Sequence, residues 1–326
     1  MPNVIDVTIH RSQFPEQVLS DLRLSLRSRQ VNHKFHYDSY KQTQKWLELH
    51  QAYSPSRTDP DCAATYDLSF VAAVSRIQSP RVHLIGLGCG GGQKDTRLLR
   101  LLAAKGKEAL YTPTDVSTAM VLVAHQAAGQ VVRECHPLVC DLLSADDLAE
   151  VLDRQTPPEA SRLLTFFGMM PNFEPSVILP KLKKLVRPGD HLLLSANLAP
   201  GEDYAAGVRC VLPLYANALT SDWLLTFLLD LGVDRGDGEI EWGVEACPEG
   251  SGLLRIAASF RFGRTRTLRV SGEEFRFASG DNLRLLFSYR HTPDRIRALL
   301  AKHGLGVTEE WITASGEEGV FLCRRD

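Results

Sequence analysis

The sequence lacks an excess of charge of either sign, because 37 Lys and Arg residues balance 39 Asp and Glu residues and leave a formal net charge of −2. Proteins that depend on nucleic acid neutralise many phosphates with Lys and Arg, so this composition excludes nucleic acid as the main partner. The chain also lacks a run of about 18 or more apolar residues, which excludes a membrane-spanning helix. Its first residues show neither the basic start nor the apolar stretch of a secretory signal. We therefore expect a protein that binds neither nucleic acid nor membrane.

Cysteine motifs are missing as well. The seven cysteines are Cys62, Cys89, Cys135, Cys140, Cys210, Cys247 and Cys323. None of them forms a C-x-x-C pair, so the sequence predicts neither a zinc ribbon nor a disulfide framework. Reduced thiols are the simpler interpretation, and they indicate a soluble, cytoplasmic protein. The nearby histidines His33 and His36 lack further ligands at a metal-binding spacing, so we predict no metal site.

Apolar segments and helical patterns alternate along the middle of the chain. The apolar segments cover residues 81–87, 109–115, 135–139, 163–167 and 190–196. Fully apolar strands separated by helices are typical of a parallel sheet that is covered on both faces. This part of the sequence therefore predicts a doubly wound α/β sheet.

The rhythm changes after residue 199. A long helix is predicted over residues 205–231, and the alternation over 255–269 and 275–289 is typical of antiparallel strands. A helix over 293–303 and a terminal hairpin over 309–324 follow. A parallel sheet that closes with an antiparallel hairpin favours the class I methyltransferase arrangement over a dinucleotide fold.

The predicted fold class is therefore α/β, with a class I methyltransferase-like doubly wound sheet, a closing antiparallel hairpin and a second α+β substrate lobe. The sheet domain is predicted from residues 61–199 and 291–326, and the substrate lobe from residues 1–60 and 200–290. Ligands of such sheets bind at the carboxyl ends of the parallel strands. The candidate site residues should therefore follow the apolar segments.

A glycine-rich loop follows the first apolar segment. Gly86, Gly88 and Gly90 open the sequence GLGCGGG, where the strand turns into a helix. Glycines let the backbone approach a ligand closely, and the free N–H groups of a helix start favour anionic groups. The loop also satisfies G-x-G-x-x-G, so by itself it does not separate NAD from S-adenosyl-L-methionine (SAM).

Two carboxylates and one lysine complete the predicted cofactor site. Asp115 ends the second apolar segment, where a carboxylate can accept both ribose hydroxyls of a nucleoside; its alternative role is a helix cap. Asp141 follows the third segment. There its carboxylate either accepts a hydrogen bond from the amine of an adenine or caps the following helix. Lys94 stands beside the glycine loop and either pairs with the carboxylate of a cofactor such as SAM or is solvated.

Several segments in order are similar to one family. They are residues 34–58, residues 86–90 followed by Lys94, Thr96, Arg97 and Leu98, and residues 111–117, 167–173 and 205–208. Together these segments resemble the SAM-dependent, histidine-specific N-methyltransferases of ergothioneine biosynthesis. The resemblance covers most of the chain and implies SAM as cofactor and methyl transfer to the amine of a small molecule, with amino acids among the candidates.

The resemblance also implies a set of substrate-binding residues. They are Tyr37, Tyr53, Asn172, Tyr204 and Ser288. The tyrosines combine an apolar ring with a hydroxyl that can donate a hydrogen bond, although packing is their ordinary role. The alternative for Asn172 is a turn residue after a proline. Methyl transfer needs alignment of the reacting atoms and exclusion of water, so no catalytic base is predicted.

The chain departs from the family pattern at particular positions. Gly86 stands where the family has an acidic residue, and the glycine loop contains one apparent extra residue. Leu286 stands where the family has a glutamate that faces the histidine side chain, and Glu202 occupies the place of a tyrosine. A leucine cannot accept a hydrogen bond from an imidazole, which argues against histidine as the substrate. An NAD(P)-dependent oxidoreductase and a non-catalytic SAM-binding regulator stay open as alternatives.

Overall fold

The computed structural model describes residues 4–248 and 250–325. The domain ranges predicted from the sequence also include residues 1–3, 249 and 326, which lie outside the described residues. The strands in chain order are β1 (Thr8–Ile9), β2 (Arg81–Leu87), β3 (Glu108–Asp115), β4 (Glu134–Cys135), β5 (Leu138–Val139), β6 (Ser161–Phe166), β7 (His191–Asn197), β8 (Gly238–Ala246), β9 (Leu254–Phe262), β10 (Arg266–Val270), β11 (Glu273–Phe277), β12 (Asn282–Arg290), β13 (Leu305–Ile312) and β14 (Glu318–Arg325). The α-helices are α1 (Pro15–Ser28), α2 (Tyr40–Tyr53), α3 (Pro55–Thr58), α4 (Pro60–Arg76), α5 (Gln93–Ala104), α6 (Thr118–Ala128), α7 (Leu148–Gln155), α8 (Pro175–Leu185), α9 (Tyr204–Cys210), α10 (Ala218–Asp230) and α11 (Pro293–Lys302).

The chain divides into two compact units. The first contains the described residues up to Gln13, Pro55–Leu198 and those from His291 onwards; the second contains Phe14–Ser54 and Ala199–Arg290. The segments 4–13 and 55–60 therefore group with the sheet unit, whereas the sequence analysis gave them to the substrate lobe. The early segment belongs there because Thr8 and Ile9 pair as a parallel edge strand with Leu138 and Val139.

The sheet of the first unit has the strand order β1-β5-β3-β2-β6-β7-β14-β13, with β4 beside β3. The neighbouring strands from β5 to β7 pair in parallel. β14 inserts antiparallel between β7 and β13. This order confirms the class I methyltransferase sheet with its closing hairpin. The order reverses between β2 and β6, and that reversal marks the carboxyl edge beside it as the ligand-binding edge.

The third parallel strand differs from the prediction. A single strand was expected over residues 135–139, but β4 and β5 are two short pieces separated by His136 and Pro137. His136 N donates to the Tyr111 carbonyl at 2.9 Å, whereas proline has no N–H to donate. The break shortens the strand but still delivers Asp141 to the carboxyl edge.

The second unit is α+β. Its sheet has the order β12-β9-β8, and β10 and β11 form a separate antiparallel hairpin. The predicted long helix over 205–231 is wrong: α9 ends at Cys210, and α10 begins only at Ala218. Pro213 lies between them, and the side chain of Asn217 accepts from Thr220 N at 2.9 Å to cap the new helix.

No helix among the described residues is long and apolar enough to cross a membrane.

Candidate functional site

The glycine loop lies between β2 and α5, at the carboxyl edge of the first unit's sheet. Gly88 and Gly92 have φ values of +65° and +68°, a conformation that residues with a side chain rarely adopt. A Cβ at Gly92 would lie 2.7 Å from the Cβ of Ala124, so α5 also packs against α6 at van der Waals distance there. Glycine is therefore the only residue that fits these two positions of the loop without strain.

Asp115 ends β3 directly beside this loop. One carboxylate oxygen accepts from Gly90 N at 3.0 Å and the other from Ser117 N at 3.0 Å. Burial raises the pKa of Asp115 to about 6, although the backbone N–H groups act in the opposite direction. Ser117 accepts from Met120 N at 3.3 Å and is the N-cap of α6, so the helix-cap alternative for Asp115 does not hold. Its carboxylate keeps lone pairs for further donors.

Asp141 lies at the same edge, one strand further out. Asp115 and Val139 are partners in the pairing of β3 with β5, and Asp141 follows two residues later. Its carboxylate accepts from Leu143 N at 2.9 Å, so it stabilises a turn, and the residue is only 5% exposed. The turn role is present in the structure, and the adenine-binding role stays a prediction.

Lys94, in the first turn of α5, belongs to a buried polar network that the sequence did not indicate. Its Nζ donates to the Tyr66 hydroxyl at 2.9 Å and lies 4.2 Å from the centre of that ring. The Tyr66 hydroxyl donates in turn to the carboxylate of Glu318. Glu318 starts β14 and pairs with Asn197, where β7 ends. Lys94 is therefore held at the carboxyl edge by a ring and a hydroxyl, and is not a freely solvated side chain.

Asn172 belongs to the loop after β6. It ends a 3₁₀ turn, Met170–Asn172, and its N–H donates to the Met169 carbonyl at 3.0 Å. The preceding Gly168 donates to the Ser195 hydroxyl at 2.9 Å and has a φ of +70°. The side chain of Asn172 is half-buried. Its turn role is present, and substrate binding by this residue stays a prediction.

In the second unit, Tyr204 and Ser288 are linked through two residues that the sequence analysis did not name. The Tyr204 hydroxyl donates to the Arg290 carbonyl at 2.7 Å. The guanidinium of Arg290 donates to the Tyr215 hydroxyl at 3.0 Å, and that hydroxyl shares a hydrogen bond of 2.9 Å with Ser288. Its position two residues after Ser288 in β12 is the one sequence feature that could have pointed to Arg290. No sequence pattern pointed to Tyr215.

Tyr37 and Tyr53 lie elsewhere in the second unit. The Tyr37 ring packs against Trp46 and Trp223, with centroid distances of 6.0 and 5.4 Å. Tyr53 ends α2 and is 51% exposed. Packing thus accounts for Tyr37, and the substrate roles of both tyrosines stay predictions.

Leu286 lies in β12, two residues before Ser288. It is 5% exposed and belongs to an apolar cluster with Phe35, Trp223 and Phe227. The neighbouring backbone carbonyl of Leu285 accepts from His36, and burial lowers the pKa of that histidine to about 4. The surroundings of residue 286 are therefore apolar, with a neutral imidazole nearby.

Within residues 4–248 and 250–325, no cluster of three or more His, Cys, Asp or Glu side chains could hold a metal ion. No disulfide links any of the seven cysteines, all of which lie within these ranges, and burial raises the pKa of several of these thiols, including that of Cys62 to about 12.

The sequence of the chain is similar to those of known proteins. The sequence model of a family described as "Histidine-specific methyltransferase, SAM-dependent" matches residues 14–204 and 251–325. The chain is 26% identical over 288 residues to the histidine N-alpha-methyltransferase of Mycolicibacterium smegmatis, covering 84% of this chain and 83% of that protein.

Two solved methyltransferase structures are also similar to the chain. The CcbJ methyltransferase from Streptomyces caelestis is 14% identical, with a TM-score of 0.41, over 82% of this chain and 96% of that one. The mitomycin 7-O-methyltransferase MmcR is 14% identical, with a TM-score of 0.42, over 97% of this chain and 70% of that one.

Proposed function

We propose that this chain methylates a substrate other than histidine, namely a small amine of the amino-acid type with an apolar side chain. The chain belongs to the family of SAM-dependent, histidine-specific methyltransferases. The protein is a SAM-dependent N-methyltransferase. The family match gives no support to an NAD(P)-dependent oxidoreductase or to a non-catalytic regulator. The observation that carries the proposal is Leu286, buried among apolar side chains in the strand that also carries Ser288.

The residues of the first unit fit a nucleoside cofactor that bears an amino acid. Gly88 and Gly92 let the loop backbone pass close to Met169 and Ala124, where the Cβ of any other residue would overlap these side chains. Asp115 would accept the ribose hydroxyls, Asp141 the adenine amine, and Lys94 would pair with the cofactor carboxylate. SAM supplies an electrophilic methyl group on a sulfonium sulfur. The protein has to align that group with a neutral amine and exclude water.

In the second unit, we assign Tyr204 and Ser288 to substrate binding, together with Tyr215 and Arg290. The guanidinium of Arg290 carries a fixed positive charge, and a carboxylate on the substrate would be its natural ligand. Asn172 of the first unit and the second-unit residues Tyr37 and Tyr53 stay weaker candidates. A cytoplasmic location belongs to the same proposal, because the seven cysteines form no disulfide in the structure.

If Lys94 pairs with the carboxylate of the cofactor, its replacement should weaken the binding of ligands that carry this carboxylate and of no others. Replacing it by methionine (Lys94→Met) should weaken S-adenosylhomocysteine binding about tenfold, because one charge-assisted contact is lost. Tyr66→Phe should weaken it less, since the phenol only holds the ammonium in place. Calorimetry with methylthioadenosine, which lacks the amino-acid part, provides the control: Lys94→Met should bind it as the wild type does. An equal loss for both ligands would contradict the carboxylate pairing.

The pKa of Asp115 predicts that cofactor binding depends on pH. Burial raises this pKa from 3.8 to about 6, whereas hydroxyl donors from a ribose favour the ionised form. Affinity for S-adenosylhomocysteine should therefore rise with pH up to about 6 and level off above it. We expect it to be at least about tenfold weaker near pH 5 than near pH 7. In calorimetric titrations, Asp115→Asn should remove much of this dependence, and equal wild-type affinities at both pH values would refute the assignment.

A further inference from the structure

Asp95, in the first turn of α5, is a buried carboxylate without a role in the site described so far. It is only 3% exposed. One oxygen accepts from the Thr165 hydroxyl at 2.8 Å, and the other accepts from the Tyr111 hydroxyl at 2.7 Å. Tyr111 belongs to β3 and Thr165 to β6, the two strands that flank β2. The carboxylate therefore ties the start of α5 to both neighbours of the strand that leads into the glycine loop.

The space for this carboxylate exists because residue 86 has no side chain. A Cβ built on Gly86 would overlap Oδ2 of Asp95. Gly86 is also the register partner of Thr165, one of the two hydroxyl donors. The resemblance implies an acidic residue at position 86 and a shorter loop. In this chain glycine occupies position 86, and the carboxylate of Asp95 on the following helix lies in the space beside it.

The surroundings of Asp95 allow its carboxylate to keep a negative charge at neutral pH. Burial raises its pKa to about 6, while the Tyr111 and Thr165 hydroxyls and the Lys94 ammonium lower it. The thiol of Cys89 also faces it, and burial raises the pKa of that thiol, so it stays neutral. The position in the first helical turn further favours the anion. A buried charge is costly unless it is compensated, and here the two hydroxyls and the Lys94 ammonium compensate it.

We infer that Asp95 is a positioning residue of the SAM site. It holds the loop 86–92 in its binding conformation and supplies negative charge beneath it, which suits a cofactor that carries an ammonium and a sulfonium. The role requires glycine at position 86. This inference rests on the cofactor assignment made under the proposed function and identifies the residue on which the geometry of this divergent loop depends.

The first test is Asp95→Asn, which keeps the shape and removes the charge. Titration calorimetry should show S-adenosylhomocysteine binding at least about tenfold weaker, while the melting temperature of the apo-protein stays the same or rises. A purely structural residue would instead lower the melting temperature and leave the affinity intact. The matched control is Asp146→Asn, a 78% exposed side chain paired with Lys181, and it should change neither quantity.

The second test is a double-mutant cycle, which decides the matter even if Asp95→Asn fails to fold. Gly86→Ala should weaken binding about tenfold in the wild type, because the new methyl group displaces the carboxylate, but little in an Asp95→Ala background. Gly86→Asp combined with Asp95→Ala should restore affinity to within about threefold. Additive effects, no restoration, or unchanged affinity in Asp95→Asn would overturn the inference. A wild type that does not bind S-adenosylhomocysteine would instead overturn the cofactor assignment.

Discussion

Asp115→Asn should weaken the binding of S-adenosylhomocysteine by at least about a hundredfold. Two ribose hydroxyls would lose an ionised acceptor, and hydrogen bonds to a charged group contribute about 1.5–3 kcal/mol each. The amide also has one acceptor oxygen instead of two, so either Gly90 N or Ser117 N loses its partner. Isothermal titration calorimetry at neutral pH measures the effect directly.

The variant has to stay folded for this result to count. Circular dichroism should match that of the wild type and the variant should stay folded at the temperature of the titration, although the melting temperature should fall somewhat because one backbone N–H loses its acceptor. Asp146→Asn again serves as the matched control, and its affinity should equal that of the wild type. Unchanged affinity in folded Asp115→Asn would show that this carboxylate does not hold the ribose.

Histidine should be a poor substrate of the wild-type protein. Turnover of leucine or phenylalanine should exceed that of histidine by about a hundredfold in kcat/KM, because burying an imidazole N–H without an acceptor costs about 1–3 kcal/mol. Mass spectrometry of the methylated product, with S-adenosylhomocysteine release as the second readout, compares the three amino acids in one assay. Histidine turned over as well as the apolar amino acids would refute the proposed substrate class.

A substitution at residue 286 tests the cause of this preference. Leu286→Gln introduces a neutral acceptor and should raise the histidine-to-leucine ratio of kcat/KM about tenfold. Glutamine is chosen over glutamate because an unpaired charge in the cluster around Phe35 and Trp223 would endanger the fold. The matched control is Leu283→Val, a conservative change at a fully buried position of the same strand. It should leave the histidine-to-leucine ratio of kcat/KM unchanged. An unchanged ratio in Leu286→Gln would show that residue 286 does not face the substrate.

Much of the candidate cofactor site could be predicted from the sequence because it depends on local order. Parallel strands bring their carboxyl ends to one edge, so residues that directly follow apolar segments, such as Asp115 and Asp141, meet there. The glycines of the loop likewise predict an unusual backbone conformation from the local sequence alone. Boundaries were less reliable: Pro213 ended a helix that the apolar spacing alone would have continued.

The sequence by itself determined the class of fold, the closing hairpin and the family, since apolar periodicity and ordered motifs are properties of the linear chain. Only the tertiary structure decided which side chains compensate one another. Tyr66, Lys94 and Glu318 are far apart in sequence, and they meet because α4, the first turn of α5 and the start of β14 converge near the end of β7. For the same reason, nothing local to Asp95 reveals that its carboxylate occupies the space left open at Gly86. Contacts of this kind depend on packing across strands, which no spacing rule along the chain encodes.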